Sequence, residues 1–106
     1  PPQVPVAIIG AENAPGLVEF LRRNRIDVLP APSDPEVEVR SGRLGVVLVV
    51  PREFRAALRQ GVPAPVRIIV DESRIAARSE FQHLHETVDN YGRDLNILRS
   101  LANSSP

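Results

Sequence analysis

The stretch from Val6 to Asn24, VAIIGAENAPGLVEFLRRN, constrains the fold more than any other part of this chain. Val6, Ala7, Ile8 and Ile9 form an unbroken apolar run, which suits a strand covered on both faces and not one with a wet side. Asn13 is expected to cap the helix that follows, and Pro15 falls in its first turn, where a missing N–H costs little. Strand, turn and helix units of this kind recur. Arg25 to Leu29 (RIDVL) reads as a second strand, and the turn residues Pro30, Pro32, Ser33, Asp34 and Pro35 follow it. Ser33 or Asp34 is then set to cap a short helix that starts at Pro35 and ends before Gly42. Leu44 to Val50 (LGVVLVV) is the most hydrophobic stretch and belongs at the centre of a sheet. Pro51 stops it, and Arg52 to Gln60 (REFRAALRQ) places Phe54, Ala57 and Leu58 on one helical face, with Gly61 as terminator. Val66 to Val70 (VRIIV) is the fourth strand, closed by Asp71, Glu72 and Ser73. The connection before it is long enough for a right-handed crossover. The expected fold is α/β: a four-stranded, mostly parallel sheet in the order 2-1-3-4, with flanking helices and a long C-terminal helix.

That last helix, from about Arg74 to Ala102, differs in kind. Phe81, Leu84, Val88, Tyr91, Leu95 and Leu98, then Ala102, alternate steps of three and four, which is a heptad seam. About 28 residues at about 1.5 Å each give a rod about 42 Å long. A globule of this size is only about 33 Å across. The helix is therefore expected to overhang its own domain. Its first half should pack across the sheet, and its second half, widened by Ile97 and Leu101, is a helix-seam interface in need of some other surface or a bilayer boundary to cover it. Gly92 inside it makes a bend plausible.

Composition narrows the function classes. The 106 residues suit one domain, and 13 basic residues balance 13 acidic ones, so no field gathers nucleic acid or anionic lipid. Every basic residue is Arg, and the cluster Arg22 to Arg25 lies on a polar helix end. Without Cys there is no disulfide, thiolate nucleophile or Cys-based metal site. No apolar run approaches the roughly 20 residues of a membrane span. The chain begins PPQVP and contains no Met, which points to a piece of a longer protein, with membrane segments expected just outside both ends.

Motifs of chemistry are sparse. GAENAPG lacks the glycine spacing and the Lys of a phosphate loop; Gly10 and Gly16 are expected to serve a tight turn and close helix packing. His83 and His85 lie on opposed sides of a helix and cannot share a metal. If all strands are parallel from the first to the fourth, the segments after strands one, three and four emerge at one edge and bring Glu12, Asn13, Arg52, Asp71 and Glu72 together. That crevice is the candidate ligand or cation site, and cap chemistry by Asn13, Asp71 and Ser73 is the competing reading. No nucleophile or acid–base pair is spaced for catalysis, so no catalytic residue, metal ligand or cofactor is assigned. Asn103-Ser104-Ser105 matches a glycosylation sequon, to which no function is attached.

Taken together, Gly10-Ala11-Glu12-Asn13-Ala14-Pro15, the step Val49-Val50-Pro51-Arg52-Glu53-Phe54 and the strand end Val70-Asp71-Glu72-Ser73 give the chain a resemblance across nearly its whole length. It resembles the extracytoplasmic domain of type-2 ABC exporter permeases, and within them the sodium-exporter NatB-like group. The resemblance implies a non-enzymatic domain on the outer side of the cell membrane, between two transmembrane helices. It also implies a second permease copy or half-transporter as partner, a cytoplasmic ATPase subunit acting through the full-length protein, and export of sodium or drugs. The alternatives are a free-standing α/β ligand-binding or regulatory module built on the crevice, and a dimerisation module driven by the last helix.

Overall fold

The computed structural model describes the backbone of residues 3–103 and the side chains of residues 3–95. Strand β1 (Val4–Ile9) passes through a 3-10 turn (Ala11–Asn13) into α1 (Pro15–Arg23), followed by β2 (Ile26–Leu29), α2 (Pro35–Ser41), β3 (Val46–Val49), α3 (Glu53–Gln60), β4 (Arg67–Val70) and α4 (Ile75–Asn103). The sheet order is β2-β1-β3-β4, as the sequence predicts. The β1–β2 and β1–β3 pairs are parallel, with Val6 opposite both Val28 and Val46.

The fourth strand departs from expectation. β4 runs antiparallel to β3, with Val46 opposite Val70 and Val49 opposite Arg67, so the sheet is mixed and the predicted crossover between them is absent. The reason is where the connecting segment packs. α3 is an eight-residue helix ended by Gly61 in the left-handed conformation, and Leu58, Gly61 and Val62 line one groove with Leu17, near the start of α1. The chain between β3 and β4 thus stays at the end of the sheet where β3 finished, and β4 enters from there.

Two apolar layers form. On one face, Val6, Ile8, Val46 and Leu48 pack with Leu17, Val18 and Leu21 of α1, Phe54 of α3 and Leu84 of α4. On the other, Ala7 and Val47 meet Val39 of α2, with Ile9, Leu29, Leu44 and Ile69 half-buried around them. Alternate residues of β1 and β3 serve opposite layers, which is why their sequences read as continuous hydrophobic runs. The short α2 is held as expected: the Asp34 carboxylate accepts the Val37 N–H at 3.2 Å, Pro35 opens the helix and Gly42 closes it.

α4 starts at the end of the sheet where β1 begins and runs to the other end. His83 Nε2 lies 2.8 Å from the Asn24 carbonyl, at the finish of α1, whereas Tyr91 packs its ring 5.3 Å from that of Phe20 and sets its hydroxyl over Gly16, at the start of α1. Beyond Leu95 the helix continues to Asn103, about 12 Å further at about 1.5 Å per residue. The domain measures 54 × 29 × 20 Å, with a radius of gyration of 14.7 Å, where about 13 Å is ordinary for this length. Glu80 seats the first half of α4: its carboxylate lies against Gly45 at the entry to β3 and burial raises its pKa above the usual 4.5. A raised carboxyl pKa means that the folded state favours the proton, so this contribution to stability is present below about pH 4.5 and fades as pH rises through the raised value. Glu80→Gln is therefore expected to leave stability at pH 4 nearly unchanged and to raise it slightly at pH 7, by less than about 1 kcal/mol because the group is partly solvated. Urea titrations at the two pH values read the difference; a variant less stable than the parent at pH 7 would contradict the assignment.

Candidate functional site

The polar residues predicted to share a crevice lie at opposite ends of the sheet. Glu12, Asn13 and Arg52 follow the C-terminal ends of the parallel strands β1 and β3. Asp71 and Glu72 follow β4, whose last residue Val70 stands beside Val46 at the start of β3. Three residues of strand at about 3.3 Å each separate Val46 from Val49, so the two groups are about 10 Å or more apart along the sheet. The antiparallel β4 is the cause, and the crevice as composed from sequence does not form.

Each group makes its own local bonds. Asn13 does not cap α1, whose N-cap position is Ala14 and makes no side-chain bond. Instead Asn13 Nδ2 donates to the Val50 carbonyl at 2.9 Å and ties the β1–α1 turn to the end of β3. The turn's amides at Asn13 and Ala14 donate to the carbonyls of Gly10 and Ala11, so they do not converge on a ligand position. Arg52 is the exposed N-cap residue of α3 and Glu12 is exposed. At the opposite end, the Asp71 carboxylate accepts the Ser73 hydroxyl at 2.6 Å and the Ser73 N–H at 3.1 Å. Those two bonds, the hydroxyl first, hold the Asp71 carboxyl below its usual range. This is the cap chemistry of a turn leading into α4. With Glu36, Arg40 and Ile69 it borders an open hollow of about 450 Å³.

The histidines sit apart. His85 is exposed, stacked on Phe81 with ring centroids 5.7 Å apart, and 3.4 Å from Asp89; the ring of His83 is committed to Asn24. Among the described residues no group of three or more His, Asp or Glu side chains is placed to hold a metal ion, and no helix is long and apolar enough to cross a membrane.

The better-formed concavity is apolar and involves the predicted seam. Along α4, Leu84 is fully buried, and Phe81, Val88, Tyr91 and Leu95 are half-buried; the side chain of Leu98 lies outside the described residues. Phe81 and Leu84 pack on the domain's own sheet layer, as expected. From Val88 onward the helix borders a groove of about 310 Å³, walled by Leu17, Phe54, Leu58 and Val66 and overhung by Val62, which is 48% exposed. Among the described residues no charged side chain lines it, and its one polar side chain is Tyr91, whose pKa burial raises above 10.0; a side chain at Gly16 would meet that hydroxyl at 2.7 Å. Gly92 leaves the groove open, since a Cβ there would have no neighbour within 4 Å. The sequence signals for this groove are the seam itself and the apolar Val62, Ala64 and Val66 alternating with Pro63 and Pro65; as punctuation, that segment reads only as a turn.

Comparison with protein-family models, with curated proteins and with solved structures finds no match to this chain.

Proposed function

We propose that this chain is a non-enzymatic extracytoplasmic domain of an ATP-driven exporter permease of the type-2 ABC class, carried at the cell membrane between two transmembrane helices. The observation that carries the reading is α4: a helix of 29 residues, about 43 Å long, in a domain of 54 × 29 × 20 Å, exceeds both shorter dimensions of that domain and is the form of an element joined to something further on. The turn and strand-end patterns at Gly10 to Pro15, Val49 to Phe54 and Val70 to Ser73 support it by resemblance. The scattering of Glu12, Arg52 and Asp71 over two ends of the sheet removes the site on which a free-standing ligand-binding module was to rest. In this reading a cytoplasmic ATPase subunit drives the cycle, a second permease copy or half-transporter completes the pathway, and the cargo is sodium or a drug.

The strand polarity adds a condition. β1 begins at one pole and α4 leaves from the other, so both ends reach one bilayer only if the domain lies along the surface or extra chain spans its length. Covering 54 Å in extended form takes about 16 residues.

The complete reading frame tests this. Apolar segments of about 20 residues are expected on both sides, one of them adjacent or both separated from the domain by a spacer of that order. The chain has no Cys, so with any cysteine elsewhere in the full-length protein replaced by Ser, Glu12→Cys adds one label site within it. A membrane-impermeant maleimide should label it in intact cells. Absence of both apolar segments, or labelling only after lysis, would overturn the proposal.

A further inference from the structure

We propose that the groove beside α4 receives the distal end of α4 from a second copy of this chain, in a two-fold antiparallel pair. The proposal specifies where a second permease copy would dock, but it rests on the helix and the groove alone.

The projecting end and the groove lie at the same pole. Leu95 lines the groove together with Val62 and Leu17, and α4 continues from there to Asn103. The sequence of that continuation, NILRSLAN, carries Ile97, Leu98 and Leu101, which continue the apolar spacing of the seam. A two-fold axis near Leu95 brings two such ends past each other and lays each along the other's groove, an isologous contact that closes on itself. Gly92, with open space where a side chain would be, allows a second helix to approach closely. Charge on the groove wall does not oppose the pairing, because no charged side chain among the described residues lines it, and the net charge of the chain is zero.

Size sets the strength. The α4 segment from Val88 to Asn103 is about 24 Å long and about 10 Å wide, a footprint on the order of 250 Å² per copy before the groove walls are added. A stable interface needs about 800 Å² per partner. The isolated chain is therefore expected to pair only toward high micromolar concentration, and two copies held in one membrane to pair through their high effective concentration.

Sedimentation equilibrium from micromolar to near-millimolar protein is the test. The average mass should climb from 11.6 kDa toward twice that value. Val62→Arg at the groove lip and Leu98→Asp on the projecting end should each hold it at the monomer, with circular dichroism and melting temperature unchanged. Mixing Val62→Cys with Leu98→Cys should give a bismaleimide cross-link that neither variant gives alone. A monomer at every concentration overturns the proposal, as does a dimer that survives Val62→Arg, which would mean parallel pairing with the groove empty. A monomer whose groove binds an apolar dye, with the dye lost in Val62→Arg, would also overturn it and assign the groove to a small apolar ligand. Failure here leaves the reading-frame test untouched, and the reverse also holds.

Discussion

Leu84→Ala should destabilise the domain by about 3 kcal/mol, within the roughly 2–5 kcal/mol range for deleting a buried leucine side chain. Leu84 has no exposed surface and belongs to the layer formed by Val6, Ile8, Val46 and Leu48. It is also the only fully buried seam residue among those described on α4, and the strand residues of its layer, Val46 and Leu48, have no exposed surface, so little around it can close the cavity. Against a total of about 5–15 kcal/mol for a domain, the loss is large enough to move the urea midpoint clearly. Leu95→Ala is the internal comparison. That side chain borders the open groove, already partly wet, and its removal should cost about 1 kcal/mol. A Leu84 variant no weaker than the Leu95 variant would mean that α4 is not anchored through its first half, and the argument for a projecting second half would fall with it.

The parts of the fold legible in sequence are those fixed by short-range chemistry. Val6 to Ile9 and Val46 to Val49 announce themselves as central strands because each alternate residue enters a different apolar layer. Asp34, Pro35 and Gly42 mark both ends of α2 because cap chemistry is local. The direction of β4 was not legible: VRIIV is equally apolar in either polarity, and the helix before it does not state which way it crosses the sheet. That choice depends on Leu58 and Val62 settling beside Leu17 and Leu95, a long-range packing preference. The crevice failed for the same reason, since Asp71 and Glu72 travel with β4. Asn13 illustrates a subtler limit. Its type and place suit a helix cap, but a carbonyl far along the chain, that of Val50, takes its amide. The groove went unread because its wall is the Pro-punctuated segment after Gly61, where turn signals mask three apolar residues.

Gly10→Ala is the second substitution expected to have a large effect, about 3 kcal/mol or more. Gly10 has φ +84°, a left-handed conformation costing about 1–2 kcal/mol for any residue with a side chain. The larger cost is steric: an added Cβ would collide with the Val50 carbonyl oxygen and stand 2.9 Å from Asn13 Nδ2. Both atoms belong to the bond that ties the first turn to the end of β3, and the Val50 N–H donates to the Ile9 carbonyl at 2.8 Å beside it. Relief requires β1 and β3 to part at that end, where Val50 and Ala14 are buried. Asn13→Ala removes the side-chain bond without adding a clash and should cost about 1 kcal/mol. The double variant separates the two effects: if Gly10→Ala acts by displacing Val50, most of the Asn13 bond is already lost, and the double variant should be less destabilised than the sum of the singles. Strict additivity in urea titrations would show that the strand end stays in place and that backbone conformation alone carries the cost.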